Sequence, residues 1–317
     1  MTESRKTLAQ VAKQLDIGEE QVLAAIRLAS SGPVGTAPAI STPMLEELMR
    51  AVRTETDRHG LPGGARIFGV TSGKGGVGKT SLTVNLATEL AAAGHRTLLV
   101  DLDLGLSNAH ILAGLKPQQT LSDYLDGTAK LADLIVDGPH GVKLIAGGSG
   151  IQEMANLDDR GRLEIIGAIS ELRPFCDVIL LDTGAGVSSS VTDFLAVCDH
   201  TIVVTTSNFA AIADAYGIIK IVCQEGYDKP IHVVVNRVKS PTEGEQVYAK
   251  LKGCTERFLS LNLNWLGLLP EDHSVEGAVL QRLPFCEAFP ASTVTRYLKK
   301  IVSTLESYLP ALHARTS

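Results

Sequence analysis

A glycine-rich turn carries the residues of this sequence that are best suited to phosphate chemistry. It fits the pattern G-x-x-x-x-G-K-[ST], and it lies between an apolar run and a helical pattern, as that motif requires. Its members are Gly73, Lys74, Gly75, Gly76, Val77, Gly78, Lys79 and Thr80, with Ser81 next in the chain. Backbone N–H groups of such a turn close around phosphate oxygens, and the helix N-terminus adds a positive dipole. The pattern predicts a nucleotide site in which Lys79 reaches the β- and γ-phosphates and Thr80 ligates Mg²⁺.

Two apolar runs elsewhere end in aspartates. Asp182 closes DVILLD and precedes Thr-Gly-Ala-Gly, where a carboxylate can hold a Mg²⁺-bound water and the glycines can move toward the γ-phosphate. Asp101 and Asp103 end TLLVDLD. A single aspartate at a strand end is often only a cap or a loop residue. Two such strand ends beside a phosphate loop favour a nucleotide site with Asp182 at its metal.

The elements that must position these residues are short apolar strands alternating with longer helices. Most of the runs are apolar on both faces, so the strands need cover on both sides, and helices predicted at 79–93, 209–224 and 242–259 are long enough to supply it. The pattern predicts an α/β fold with a doubly wound, mostly parallel sheet. The predicted strands are 67–70, 97–103, 142–146, 177–182, 201–206, 232–236 and 265–269.

Composition narrows the class of protein. The chain has 317 residues, of which 44% are hydrophobic and 20% charged, enough for a sizeable core. Its five cysteines form no C-x-x-C pair, which argues against a disulfide framework, a zinc site or an iron–sulfur cluster. The polar start MTESRKTLAQ lacks the apolar stretch of a secretory signal, and no run of apolar residues is long enough to span a membrane. We therefore expect a cytoplasmic protein, with a polar or peripheral inner-membrane location left open.

The phosphate loop carries a lysine that nucleotide binding alone does not need. KGGVGKT resembles the deviant phosphate loop of the MinD/ParA ATPases, whose extra lysine, here Lys74, crosses a dimer interface to the partner subunit's nucleotide. The resemblance implies a slow Mg²⁺-dependent ATPase that forms an ATP-dependent homodimer. It also implies that Asp103 orients or activates the attacking water, while Asp101 is a supporting group. The alternative for Lys74 is an ordinary solvated lysine of a loop.

The same resemblance locates the base of the nucleotide. Asn236 closes the run HVVVN and precedes Arg237, as in the family's Asn-Arg element, where the amide pairs with adenine. Pro270, Glu271 and Asp272 resemble the family's later loop, which contacts the base largely through its backbone. A guanine site would show an N-K-x-D element, and the sequence has none. ATP and ADP are therefore the expected nucleotides.

Further segments are similar to the FlhG/FleN group of MinD-like ATPases, which control flagellar number. They are DLGLSN (103–108), LLDTGAG (180–186), IADAYGIIK (212–220) and SVEGAVLQRLPFCEAFPAS (274–292). The resemblance implies a flagellar regulator or an FlhF-like GTPase as partner. The chain departs from the group at His110, where Asp is common, and in lacking the D-Q-A-x-x-L-R element, for which Leu45-Glu-Glu-Leu-Met-Arg is a loose substitute. The alternative is a ParA-type partition or polar-positioning ATPase that binds DNA, but no dense Lys/Arg run supports it.

The chain divides into four parts. Residues 1–29 have the pattern of a helix-turn-helix module, and residues 30–63 predict a flexible linker followed by a helix. The ATPase domain is expected at 64–310 and a tail at 311–317. Glu19 and Glu20 on the second helix would repel phosphates, so a docking or autoregulatory module is favoured over a DNA-binding one or a passive hairpin.

The carboxyl-terminal helix has an apolar stripe with Lys299 and Lys300 on the opposite side. Such a stripe fits a helix that packs on a sheet and equally one that lies on a membrane surface. The short chain beyond Leu309 holds no second amphipathic segment, which favours packing on the sheet. The stripe consists of Val294, Tyr297, Leu298, Ile301, Val302, Leu305, Tyr308 and Leu309.

Overall fold

An eight-stranded sheet forms the centre of the computed structural model, which describes residues 64–103, 105, 107–148 and 157–309. The predicted module at 1–29, the linker and helix at 30–63 and the tail at 311–317 lie outside the described residues. The strand order across the sheet is β3-β4-β2-β5-β1-β6-β7-β8. The strands are β1 (Arg66–Ser72), β2 (Thr97–Leu102), β3 (Val136–Asp137), β4 (Lys143–Ile145), β5 (Val178–Ala185), β6 (His200–Thr206), β7 (Ile231–Val238) and β8 (Asn264–Pro270).

The sheet is parallel except at one edge, where the two-residue strand β3 runs antiparallel to β4. The predicted doubly wound, mostly parallel sheet is therefore confirmed, and each of the seven predicted runs overlaps a strand. Parallel neighbours need a crossover, which the helices supply on both faces. The helices are α1 (Lys79–Ala92), α2 (Ala109–Leu112), α3 (Leu121–Leu125), α4 (Asp159–Leu172), α5 (Ser189–Ala196), α6 (Phe209–Gln224), α7 (Pro241–Leu259), α8 (His273–Gln281), α9 (Phe285–Ala288) and α10 (Thr293–Glu306).

Polar side chains begin several of the helices. The Asn208 side chain accepts hydrogen bonds from the N–H groups of Ala210 and Ala211 and so starts α6. Ser240 accepts from Glu243 N at the start of α7, where Pro241 takes the first helical position. These caps explain why the predicted helix bounds at 209–224 and 242–259 lie within one residue of those observed.

The stripe of α10 is buried against the sheet. Val294, Leu298, Ile301, Val302 and Leu305 are all buried, and they join the apolar cluster that α1 forms with one face of the sheet. Tyr297, Tyr308 and Leu309 pack on its border, and the two lysines opposite the stripe are exposed. This arrangement confirms packing on the sheet, because the apolar side of the helix is already covered. None of the helices in the described ranges combines the length and apolar content that crossing a bilayer would require.

Two histidines meet inside the sheet at the start of β6 and β7. His200 Nδ1 lies 3.1 Å from His232 Nε2, and the Phe68 ring stacks on His200 with centroids 4.8 Å apart. The Tyr308 ring closes the cluster at 4.8 Å from the His232 ring. Burial lowers the pKa of both histidines, and for His232, with His200 as a second cause, the pKa falls to about 4. The pair is therefore neutral at physiological pH and acts as part of the core.

Candidate functional site

The predicted catalytic residues lie at the carboxyl ends of three neighbouring strands. The phosphate loop follows β1, and β5 lies beside it with β2 next. Asp101 on β2 and Asp182 on β5 are paired residues in the sheet register. The backbone of the loop depends on Gly78, which has φ 89° and whose Cβ, if present, would lie 2.4 Å from Asn236 Nδ2. Only glycine fits there, because both the left-handed φ and the close amide exclude a side chain.

Lys79 is held inside the protein by Asp182. Its Nζ lies 2.9 Å from Asp182 Oδ1, and the two side chains are 6% and 0% exposed. Thr83, one helical turn after Lys79 on α1, donates its hydroxyl to the same carboxylate oxygen at 3.0 Å. Asp182 Oδ2 is buried and has no hydrogen-bond partner among the described residues. The ion pair sets Lys79 at the base of the loop, with one carboxylate oxygen still able to accept.

Thr83 was not among the predicted site residues. Its i,i+4 spacing from Lys79 was the available signal, since residues four apart share a face of a helix. The spacing alone does not identify Asp182 as the acceptor, because β5 lies about a hundred residues further along the chain.

Asp101 accepts hydrogen bonds from Asp103 and from residues at the start of α2. Its Oδ1 accepts the Asp103 N–H at 3.0 Å, and its Oδ2 accepts Ser107 Oγ at 2.7 Å. The N–H groups of Asn108 and Ala109 also donate to Oδ2, each at 3.0 Å. Asp101 thus holds the backbone of Asp103 in place, and Asp103 itself is half-buried.

The two facing aspartates differ in their charge balance. Asp101 is fully buried, and that burial, together with the nearby Asp182 carboxylate, raises the pKa of Asp101 to about 7. The hydrogen bonds from Ala109, Ser107 and Asp103 oppose the rise. An incoming charge therefore meets two different groups: the Asp182 carboxylate is ion-paired with Lys79, whereas the donors around Asp101 are neutral.

The two lysines of the loop occupy opposite environments. Lys74 is exposed, and its side chain forms no ion pair or hydrogen bond with the described residues, although its carbonyl accepts Ser72 Oγ at 2.9 Å. Lys79 is buried as described above. Thr80 is half-buried, with its Oγ1 3.4 Å from Lys79 Nζ. The hydroxyl predicted to ligate Mg²⁺ is therefore next to the ammonium predicted to bind phosphate.

A cavity of about 200 Å³ begins at the end of the phosphate loop. It brings together seven of the predicted binding residues with six others from β8 and the helices around it. The predicted residues are Gly78, Ser81, Asn236, Arg237, Pro270, Glu271 and Asp272. The residues that the sequence did not indicate are Leu82, Leu269, Val275, Glu276, Phe285 and Val294. Apart from Glu276 these residues are apolar, and apolar lining of this kind is typical of a site for a heterocyclic base.

Two polar side chains of the cavity, Asn236 and Asp272, already have partners within the protein. Asn236 donates its amide to the Val77 carbonyl at 2.8 Å and accepts the Arg237 N–H at 2.9 Å. The Asp272 side chain caps α8 through Ser274 N at 2.9 Å and accepts Val294 N at 3.2 Å. Asp272 therefore shapes the wall with its carboxylate, and its backbone carbonyl accepts the Val275 N–H at 3.1 Å.

The donor set fits a nucleoside triphosphate with Mg²⁺. The loop glycines Gly75 and Gly76 are exposed and have open space on the side where a Cβ would stand, so a ligand can approach the backbone there. Lys79 and the unpartnered oxygen of Asp182 lie at the end of the loop, and the cavity begins beside Gly78. His110, the position where the chain departs from its group, is half-buried outside this set; burial lowers its pKa.

The chain is similar to flagellar proteins of two bacteria. It is 38% identical to the antiactivator FleN of Pseudomonas aeruginosa over 247 residues, which cover 78% of this chain and 88% of FleN. It is 31% identical to the flagellum site-determining protein YlxH of Helicobacter pylori over 252 residues, which cover 78% of this chain and 84% of YlxH. These matches agree with the resemblance to the FlhG/FleN group.

Solved structures agree on the fold. The cell division ATPase MinD of Pyrococcus furiosus superposes with a TM-score of 0.66 at 25% identity, over 77% of this chain and 99% of MinD. MinD of Pyrococcus horikoshii, solved with Mg-ADP, superposes with a TM-score of 0.66 at 24% identity, over 77% of this chain and 97% of the MinD chain. The family description of the CobQ/CobB/MinD/ParA nucleotide binding domain matches residues 68–285. With this span and with FleN as a relative, the chain belongs to the MinD/ParA family of P-loop nucleotide-binding proteins.

Proposed function

We propose that this chain is a slow, Mg²⁺-dependent ATPase whose ATP-bound form is a face-to-face homodimer, and that the cycle regulates the number or placement of flagella. Hydrolysis returns the dimer to monomers and so acts as a timer. The names of its relatives FleN and YlxH support the flagellar assignment. A flagellar regulator or an FlhF-like GTPase is the proposed partner. A cytoplasmic location, with recruitment to the pole or the inner membrane, fits that role.

The observation that carries the proposal is the contrast between the two lysines of the loop. Lys79 is buried and paired within its own chain, so it serves the nucleotide of that chain. Lys74 is exposed on the same loop, and nothing in the described part of its own chain uses its side chain. A cation in that position can stabilise charge on the nucleotide of a second copy, as an arginine finger does.

The other residues take roles that their surroundings allow. Lys79 binds the β- and γ-phosphates, Thr80 and Asp182 hold Mg²⁺, the latter through water, and Asp103 orients the attacking water. Bound Mg²⁺ would neutralise charge on the phosphates. Asp101 positions Asp103 through the N–H that it accepts at 3.0 Å. The cavity from Gly78 to Asp272 receives adenine, and Asn236 recognises it.

Sedimentation velocity with ADP and with ATP tests the switch. The wild type should dimerise only in ATP, Lys74→Ala should bind ATP yet remain monomeric and inactive, and Asp103→Ala should accumulate as dimer because it does not hydrolyse. Lys220→Ala on α6, an exposed lysine away from the loop, should behave as the wild type. A monomeric Asp103→Ala protein in saturating ATP would count directly against the trans-acting lysine.

Phosphate release tests the site independently. Wild-type protein should release phosphate slowly and only with Mg²⁺, and Lys79→Ala should release none because the phosphates lose their buried cation. If Lys79→Ala hydrolyses ATP at the wild-type rate, the catalytic site lies elsewhere. If it is inactive while Lys74→Ala also fails to dimerise, both parts of the proposal stand.

A further inference from the structure

Exposed apolar side chains surround a groove on the side of the molecule that carries α2 and α8. The groove has a volume of about 530 Å³ and lies between the turn after α2 and the end of α8. Four large hydrophobic residues at or beside it are exposed: Ile111 44%, Val279 46%, Leu280 87% and Leu283 40%. Ile111 and Leu283 line the groove, and Val279 and Leu280 directly precede its Gln281 in the chain. Exposed apolar side chains grouped in this way favour an interaction surface, whereas single ones need no explanation.

The two walls of the groove pack closely against each other through their backbones. A Cβ on Gly114 would lie 2.6 Å from the Arg282 carbonyl oxygen, and Gly114 has φ +69°, so glycine allows the turn to pack directly on the end of α8. Arg282 has φ 55° and ends α8 with its N–H bonded toward Ala278 and Val279. The two walls are therefore held together by backbone contacts, and their side chains project around the groove.

The charges that line the groove are positive. Lys116 and Arg282 lie on its two walls, both are exposed, and neither forms an ion pair within the described ranges. His110 is the other titratable residue of the lining, and no carboxylate contributes to it. In a chain with a formal net charge of −6, such a lining favours an apolar segment that carries carboxylates.

Both walls are connected to the candidate nucleotide site. The helix α2 begins at Ala109, whose N–H donates to Asp101 at 3.0 Å. The helix α8 begins after Asp272, which lines the cavity of about 200 Å³. An occupant of the groove would therefore contact two elements whose other ends face the nucleotide.

We propose that residues 43–58 of this same chain, which lie outside the described residues, dock in this groove as an amphipathic helix. The sequence PMLEELMRAVRTETDR places Leu45, Leu48, Met49 and Val52 on one stripe at i, i+3, i+4 and i+7. At about 100° per residue, Glu55 falls on one border of that stripe, whereas Arg53 and then Glu46 fall on the other, so Glu55 is the carboxylate that can meet the groove's cations. The proposal does not depend on the proposed dimerisation.

The position of the segment in the chain supports this occupant. It ends six residues before Gly64, where the described chain begins, so it remains at high local concentration near the domain. A helix of this length gains little stability alone in water and needs a surface for its apolar stripe. The groove offers apolar side chains and positive charge together, which are the two features that complement the segment.

Limited trypsin digestion of the full chain tests the docking. Cleavage at Arg50 and Arg53 should be slow, and the double variant Leu280→Asp/Leu283→Asp should accelerate it at least about tenfold because the docked helix is released. Cleavage at Arg27, outside the segment, should not change in rate. Phe258→Asp on α7, a side chain 64% exposed, is the matched control and should leave all three sites unchanged. Equal rates in the wild type and the groove variant would overturn the proposal.

Cross-linking separates docking within one chain from docking between copies. With Thr56→Cys and Gln281→Cys in a Cys254→Ser background, a short bismaleimide should join the two cysteines within one chain at a rate independent of protein concentration. Pairing Thr56→Cys with Phe258→Cys should react at least about tenfold more slowly, since only the groove raises the local concentration. Products that form only between chains would overturn the proposal in favour of a second copy, and equal rates for the two pairs would overturn it outright.

Discussion

Replacing Lys79 by methionine should destabilise the protein as well as inactivate it. The Lys79 side chain is 6% exposed, and its ammonium contacts an aspartate that is fully buried, so the variant leaves Asp182 as a buried charge without its cation. The remaining described contact of that carboxylate is the Thr83 hydroxyl, at 3.0 Å on Oδ1, since Oδ2 has no hydrogen-bond partner there. Methionine retains most of the side-chain volume, so the loss reports the charge and not a cavity.

The magnitude follows from the geometry. At the 2.9 Å between Nζ and Oδ1, the gross attraction is about 6 kcal/mol for an effective dielectric constant of about 20. The net loss is smaller, because the wild-type pair also gave up hydration on folding, and removing one partner of a buried pair typically costs about 3–5 kcal/mol. We expect a value near 3 kcal/mol, because the exposed loop beside Lys79 lets water approach Asp182.

Urea unfolding of the nucleotide-free protein measures this loss, and a double-mutant cycle with Asp182→Asn isolates the pair. Lys79→Met should lower the unfolding free energy by about 3 kcal/mol, and Lys79→Met/Asp182→Asn should recover about 2 kcal/mol of it, because no charge remains unpaired. Lys252→Met on α7 removes an exposed ion pair and should change stability by less than about 0.5 kcal/mol. A coupling energy near zero would refute the reasoning, and it would mean that the carboxylate is solvated without Lys79.

Three further predictions concern the phosphate loop, the buried histidine pair and the amino-terminal segment. Gly78→Ala should weaken ATP binding in calorimetry at least about tenfold, because its φ of 89° and the Asn236 amide exclude a Cβ, whereas Gly253→Ala in the open interior of α7 should not. The pKa of His232 is lowered to about 4, so its contribution to stability is present above its ordinary pKa and is lost as pH falls toward 4. Between about pH 7.5 and about pH 5 the wild type should therefore lose about 2 kcal/mol more unfolding free energy than His232→Gln. Deleting residues 1–42 should leave ATP-dependent dimerisation in sedimentation intact while abolishing flagellar control in cells, and normal flagellar number in that strain would contradict a docking role for the module.

The strands that are apolar on both faces could be predicted from the sequence, but the short elements could not. Seven runs of β-branched and aliphatic residues predicted seven strands, because a strand between two helical layers must bury both of its faces. The eighth strand, Val136–Asp137, has two residues and pairs at the sheet edge, where no periodicity can develop. The short helix α2 was not predicted either, since its backbone is fixed by Asp101 from a neighbouring strand and not by its own pattern.

The residues of the candidate site also divide into those that the sequence indicated and those that it did not. Motif spacing was enough to indicate the loop and the strand-end aspartates, because each is read within a few neighbouring positions, whereas Asn236, Arg237 and residues 270–272 were indicated by the family resemblance. The pairing of Lys79 with Asp182, 103 positions away, depends on how β1 and β5 align, and no local pattern encodes it. The same is true of Asn236 and the Val77 carbonyl, 159 positions apart. Such contacts arise from sheet register, so the structure was needed to find them.

The paired state of Lys79 bears on how a nucleotide would enter. The cation that the motif assigns to phosphate already has an anionic partner at 2.9 Å, so an incoming phosphate meets an oriented lysine whose charge is shared with Asp182. Under the proposed roles, Lys79 would bind the phosphates and Asp182 would hold Mg²⁺ through water, and both side chains are already ordered by their contact in the folded protein. Lys74 has no such internal partner in the described chain, so its charge stays available to a ligand from outside. Under the proposed dimer, the paired Lys79 would serve the nucleotide of its own chain and the exposed Lys74 that of the second copy, which would explain why one glycine-rich turn carries both.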